Sequence, residues 1–161
     1  GSWYYLLSSG KIGQAWVHDG TGWYWMDPSS GRMDAGGWRN IWGSWYYLSG
    51  SGKAVEGWML DRGSWYYMQP GNAQMRTGWI NDGTGWFLLS NSGAMRTGGW
   101  VQDGGNWYWL DGNGKMLTGW LQTGGAWYWL SPDNGRMATG TATVDGHASQ
   151  FAPSGRWLGY A

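Results

Sequence analysis

The stretch Asn106-Trp107-Tyr108-Trp109-Leu110-Asp111-Gly112-Asn113-Gly114-Lys115-Met116-Leu117-Thr118-Gly119-Trp120-Leu121 holds an aromatic run, a Gly/Asn/Asp cluster and a second run that ends at another Trp. Read as strand, hairpin turn and returning strand, it is a β-hairpin. Side chains alternate along a strand, so Trp107 and Trp109 share one face while Tyr108 and Leu110 share the other. Both faces are apolar and both need cover, because a lone hairpin is marginal in water. A helix does not fit: Gly or Asn-Gly recurs every few residues and no helical periodicity survives.

The same unit recurs along the 161-residue chain, headed by Trp3, Trp23, Trp45, Trp65, Trp86, Trp107 and Trp127. A second series runs between the heads: Trp16, Trp38, Trp58, Trp79, Trp100 and Trp120. A fixed period of about 20 residues marks a repeat array whose units bury their apolar faces only by stacking on neighbours. The expected fold is therefore all-β, a solenoid of stacked β-hairpins. Seven aromatic hairpin units span 1–140, and a degenerate unit over 141–161 is expected to cap them.

Composition removes other classes. Gly numbers 32 and Pro only 4, without a three-residue period, which excludes collagen. Abundant aromatics and zero formal net charge exclude disorder. Basic residues fall one per repeat, as at Arg32, Lys53, Arg76, Arg96, Lys115 and Arg136, so no stripe suited to nucleic acid exists. The absence of Cys excludes a disulfide framework and a thiolate metal site. No apolar run reaches membrane-spanning length, so membrane insertion is not expected. Gly1-Ser2-Trp3 is in register with Gly43-Ser44-Trp45 and Gly63-Ser64-Trp65, and the chain reads as a piece of a longer protein.

The polar residues point away from catalysis. Asp19, Asp61, Asp82 and Asp103 occupy one phase of the repeat, and Asp27, Asp111 and Asp133 another. Asp at such places serves turns through side-chain to backbone hydrogen bonds. A carboxylate pair for glycoside cleavage would occur once, not with every turn. His18 and His147 lack a partner pattern, and no triad or phosphate loop is present. No enzyme activity, metal or cofactor is expected.

With 18 Trp and 10 Tyr, the repeats hold more aromatic surface than hairpins need. Tyr4, Tyr24, Tyr46, Tyr66, Phe87, Tyr108 and Tyr128 lie opposite the leading Trp and are expected to line the interior. The remaining rings, including Tyr5, Trp25, Tyr47, Tyr67, Trp109 and Trp129, would form aromatic boxes between hairpins. Such boxes suit sugars, which stack on flat rings, or quaternary ammonium groups, which sit among ring faces. Sugar sites usually add convergent polar side chains; Gly, Thr, Leu and Met stand near these Trp, which favours the ammonium.

The unit from Gly105 to Trp120 resembles the choline-binding repeat of Gram-positive bacterial surface proteins and phage lysins. The resemblance extends over essentially the whole chain, and the tail from Thr143 to Trp157 is similar to that family's degenerate last repeat. It implies a left-handed solenoid of β-hairpins that binds choline, carried on teichoic acids, in boxes of three aromatics with a nearby Met. On these positions the boxes would be Trp16 and Trp23 with Tyr47, Trp38 and Trp45 with Tyr67, Trp79 and Trp86 with Trp109, and Trp100 and Trp107 with Trp129. Met33, Met75, Met95, Met116 and Met137 match the Met position, whether as packing or as ligand contacts.

Departures from the pattern are informative. Leu88 replaces an aromatic and would weaken the box on Trp58 and Trp65. Ile12 and Ala54-Val55 stand where Met is expected. Thr141, Ala148 and Gln150 leave Trp120 and Trp127 without a third wall. The implied function is a non-catalytic, secreted cell-wall module binding choline or phosphocholine of teichoic or lipoteichoic acid, beside an attached enzyme or adhesin domain. An α-glucan-binding module or a structural stalk are the alternatives.

Overall fold

The computed structural model describes residues 1–161, and every regular element in it is a strand. In order these are β1 (Ala15–His18), β2 (Trp23–Met26), β3 (Gly37–Ile41), β4 (Ser44–Leu48), β5 (Gly57–Asp61), β6 (Ser64–Met68), β7 (Gly78–Asn81) and β8 (Trp86–Leu89). They continue with β9 (Gly99–Asp103), β10 (Asn106–Leu110), β11 (Gly119–Thr123), β12 (Ala126–Leu130), β13 (Gly140–Val144), β14 (His147–Phe151) and β15 (Trp157–Tyr160). Consecutive strands pair as hairpins, and the last three form one sheet in the order β13-β14-β15. The chain divides into two compact units. The first comprises Gly1–Gly78 with Leu89–Met95, and the second Trp79–Leu88 with Arg96–Ala161.

The hairpins close one turn earlier than the sequence reading placed them. Asn106–Leu110 pairs backward with Gly99–Asp103, not forward with Lys115–Leu121. The loop is Gly104-Gly105, whose φ values of 54° and 80° give the type I′ twist that suits a two-residue hairpin. The Asp111–Gly114 cluster makes a second turn, in which the Asp111 carboxylate accepts from the Asn113 and Lys115 amides. Beyond it only a single bridge forms, Leu110 with Met116. The ladder stops there because the Met116 amide donates instead to the Trp86 carbonyl of the preceding hairpin, at 2.8 Å.

That diversion stacks the repeats. In the first unit the Met75 amide donates to Trp45 O and the following Arg76 amide to Tyr67 O, each at 2.8 Å. In the second, Met137 donates to Trp107 O and Ala138 to Trp129 O, again at 2.8 Å. Each return segment is thus sewn to two hairpins. The buried column runs through the residue three places after each leading Trp: Met26, Leu48 and Met68 in the first unit, Leu110 and Leu130 in the second, all at most 3% exposed. Of the Tyr series expected inside, Tyr46, Phe87 and Tyr108 are buried, Tyr24, Tyr66 and Tyr128 are half-buried, and Tyr4 is exposed. The unit headed by Trp3 has no ladder of its own; Tyr4 bridges Arg32 and Leu6 bridges Ile12.

Candidate functional site: aromatic cages on the hairpin faces

Cross-strand register sets which rings can meet. In the β3–β4 hairpin Trp38 pairs with Tyr47 and Asn40 with Trp45, so Trp38, Trp45 and Tyr47 share one face. Tyr46 and Leu48 occupy the other. The Trp-bearing face of one hairpin receives the Tyr-bearing face of the next. Trp38 therefore meets Tyr66, with ring centroids 4.9 Å apart, and its neighbour Trp45 stands 6.5 Å away at 80°. In the second unit Trp100 meets Tyr128 and Trp79 meets Tyr108, both at 4.9 Å.

The result is a cage. Trp38, Trp45, Tyr66 and Met75, with Asn91 and Ser92 at the rim, bound a cavity of about 380 Å³. Trp100, Trp107, Tyr128 and Met137, with Pro153 and Ser154 at the rim, bound one of about 230 Å³. The two cavities repeat the same four wall positions, and neither is lined by a charged side chain. Trp45 and Trp107 remain 45% and 40% exposed, so each cage opens to solvent. Four ring and thioether walls around a space without counter-charge suit a cation that cannot donate hydrogen bonds. The Met side chains are held in place from above: a Cβ on Gly93 would collide with the Met75 thioether, and one on Gly155 with that of Met137.

The grouping of rings differs from the sequence expectation. Tyr47, Tyr67, Trp109 and Trp129 were expected to reach across to the preceding hairpin. Instead they pack on their own, as Trp38–Tyr47 at 5.3 Å, Trp58–Tyr67 at 5.1 Å, Trp100–Trp109 at 5.3 Å and Trp120–Trp129 at 5.2 Å. The reason is parity: residues two apart point the same way, so a ring beside the leading Trp in phase cannot also face it from the next repeat. The rings that cross are Tyr46, Tyr66, Tyr108 and Tyr128, which had been given to the interior. Leu88 has the phase of Tyr47, so its aliphatic side chain does not stand at a crossing position.

Two further sites depart from the common plan. Trp16 meets Tyr46 at 4.6 Å and Trp23 at 6.5 Å, but the indole N–H of Trp23 donates to Gly71 O at 3.0 Å. Trp23 is only half-exposed, whereas Trp45 and Trp65 are exposed. The loop around Gly71 thus lies against this cage, and Ala54 and Ala73 pack in the buried cluster beneath Trp16 and Trp23. At the other end Trp120 and Trp127, 6.1 Å apart, had been expected to lack a third wall. Trp157, which takes the Met position of the last repeat, packs on Trp120 at 5.5 Å, with Phe151 at 6.1 Å. The repeat spacing places Trp157 at a Met position, but the change of residue type hid its role as a ring wall.

The Asp residues serve turns and indoles. Asp19 and Asp82 hold their own loops, accepting from the Thr21 and Thr84 amides and hydroxyls at 2.7–2.8 Å. Asp61 and Asp103 accept the indole N–H of Trp38 and Trp79, at 3.0 and 3.1 Å. His18 packs edge-on against Trp23 and His147 against Tyr160. No group of His, Asp or Glu side chains is arranged to hold a metal ion.

Comparison with known proteins agrees with this geometry. A profile described as "Choline-binding repeat" matches residues 97–141, and one described as "Putative cell wall binding repeat" matches 1–12, 15–33, 36–54 and 77–95. The chain is 40% identical to CbpJ of Streptococcus pneumoniae TIGR4, with a TM-score of 0.81 over 98% of this chain and 55% of that one. Choline binding protein F of Streptococcus pneumoniae, solved with a peptidoglycan analogue, gives 40% identity and 0.79 over the same shares. A pneumococcal cell-wall endolysin from phage Cp-1, solved with choline, gives 33% identity and 0.56 over 78% of this chain and 37% of its own. The chain thus spans about half the length of the first two structures. No curated protein sequence matches it significantly. By repeat, fold and cage alike, the chain belongs to the choline-binding repeat family.

Proposed function

We propose that the chain is a non-catalytic attachment module that binds choline or phosphocholine groups of teichoic or lipoteichoic acid and is displayed, after secretion, at a bacterial cell wall. In this reading it tethers an enzyme or adhesin domain of a longer protein. The observation that carries it is the repetition of one cage, Trp38/Trp45/Tyr66/Met75 and Trp100/Trp107/Tyr128/Met137, without a charged wall. A cation over an aromatic face gains about 0.5–1 kcal/mol when exposed and about 2 when desolvated. Three rings then supply about 4 kcal/mol net, which corresponds to a dissociation constant of about 1 mM. Weak single sites act together because the wall polymer displays many choline groups to several cages at once.

Choline titration followed by Trp fluorescence and by melting temperature tests the reading. A ligand that binds only the folded state raises the melting temperature by mass action. Stabilisation by choline and not by maltose-type glucans is expected. The reverse would establish the α-glucan alternative, and no response to either would leave a structural stalk.

A further inference from the structure

We propose that Asp61 and Asp103 tune their cages for positive charge, acting through the indole rings they hold. This rests on the choline reading and adds to it a reason why the cages discriminate cations from neutral ligands of the same shape. Asp61 ends β5, on the hairpin that also supplies Tyr66, and it accepts the Nε1–H of Trp38 on the preceding hairpin at 3.0 Å. Asp103 ends β9, on the hairpin that supplies Tyr108, and it accepts the Nε1–H of Trp79 at 3.1 Å. The same relationship therefore occurs once in each compact unit.

An indole ring has a negative face and a positive edge, and its N–H lies on that edge. A carboxylate bonded there withdraws the proton along the N–H bond and pushes electron density into the ring. Its own charge adds to the negative potential over the face. Both effects favour a cation against the ring, and neither acts on a neutral ligand. The carboxylate does this without entering the cage: Asp61 is absent from the lining of the 380 Å³ cavity, so no ion pair forms and the walls stay apolar.

Asp61 and Asp103 both stand beside two-residue hairpin loops. In Asp19-Gly20-Thr21-Gly22 the carboxylate is engaged by Thr21. In Asp61-Arg62-Gly63-Ser64 and Asp103-Gly104-Gly105-Asn106 no Thr follows, and the carboxylate turns to the neighbouring indole. The corresponding residues facing Trp16 and Trp100 are Ile41 and Thr123, which carry no charge. The Trp100 cage thus repeats the walls of the Trp38 cage without such a charge.

The test uses the full chain labelled with ¹⁵N at the Trp indoles, so that Trp38, Trp79 and Trp100 report their cages separately. Choline and its neutral isostere 3,3-dimethylbutan-1-ol are titrated against wild type, Asp61→Asn, Asp103→Asn and Thr123→Asp. Asn keeps an acceptor for the indole N–H and removes only the charge. Asp61→Asn should weaken choline at the Trp38 cage by roughly threefold to tenfold, less at high salt, and leave the isostere unchanged. Asp103→Asn should do the same at Trp79, and Thr123→Asp should strengthen choline at Trp100. Equal losses for both ligands, or none for either, overturn the tuning role while leaving the cages as choline sites. Failure of choline to shift any indole resonance in the wild-type chain overturns the choline reading and the tuning with it.

Discussion

Ala54 and Ala73 lie in one buried cluster, at 2% and 0% exposed, where other repeats place a long side chain against a glycine. Elsewhere the pairs include Ile12 with Gly31, Met33 with Gly52, Met75 with Gly93, Met116 with Gly135 and Met137 with Gly155. Ala73 even keeps the left-handed backbone of those glycines, at φ 56°. One methyl group supplied from above replaces part of the thioether missing below. With the Trp23 indole bonded to Gly71, the loop there stands against the first cage, which is expected not to respond to choline.

The pair predicts a coupled response to mutation. Ala54→Met alone forces a thioether against the Ala73 methyl and should destabilise the fold by about 1–3 kcal/mol. Ala73→Gly alone relieves left-handed strain but removes a buried methyl, two effects of about 1 kcal/mol that oppose each other. The double variant should recover most of the loss, with a coupling of at least about 1 kcal/mol in urea denaturation. Additive effects would mean that the two alanines pack independently.

Tyr66 and Tyr67 are adjacent in sequence but differ in role. Tyr66→Leu removes the third ring of the Trp38 cage and should weaken choline there by roughly fivefold to thirtyfold, from about 1–2 kcal/mol of lost cation–π attraction. Tyr67→Leu leaves that cage intact, because Tyr67 packs on Trp58. Site-resolved indole titrations separate the two; a greater loss at Trp38 from Tyr67→Leu would restore the grouping expected from sequence.

Trp157 gives a third test. Its indole N–H is buried without a partner, while its ring packs on Trp120. Trp157→Phe should therefore be neutral or slightly stabilising, since it removes an unsatisfied donor and keeps the ring. Trp157→Ala should cost about 3 kcal/mol in thermal or urea unfolding and abolish the response of Trp120 to choline. A large penalty for Phe would show that the N–H has a partner in solution.

Acid should weaken the turns that Asp27 and Asp34 hold. The Asp27 carboxyl titrates at about 2, below the ordinary 3.8, first because the Ser29 hydroxyl and then the Ser30 hydroxyl and amide donate to the charged form. Asp34 is also lowered, chiefly by the Arg39 guanidinium that donates to it at 2.6 Å. A carboxyl lowered on folding contributes stability above its unfolded value and loses it as pH falls through the folded one. The loss from Asp27 should thus run from about pH 4 down to about pH 2. Ser29→Ala should move its titration, followed by carboxylate NMR, back toward the ordinary value; an unmoved midpoint would assign the shift elsewhere.

The repeat length, the strand content and the presence of aromatic cages were all legible in the spacing of the two Trp series. What spacing could not supply was phase between neighbours. Tyr46 and Tyr47 are equally aromatic, and only the cross-strand register, Trp38 opposite Tyr47, decides which of them points at the preceding hairpin. The hairpin loop was misplaced for a related reason. Asp111-Gly112-Asn113-Gly114 has stronger turn chemistry than Gly104-Gly105, but the strand after it surrenders its amide to the neighbouring repeat. Asp61 and Asp103 read as turn residues because their second partner, an indole more than 20 residues away, has no local signature.

The one-way matching of hairpin faces also bears on how such a chain can change length in its gene. A Trp-bearing face accepts the Tyr-bearing face of any following repeat, so duplication or loss of a whole repeat leaves the remaining junctions of the same kind. Recombination between near-identical units would then alter how many cages the protein carries without redesigning any of them. Ala54 and Ala73 are the exception. They stand in successive repeats, and a crossover between them would set a methionine against an alanine, so that step of the array must be inherited as a block.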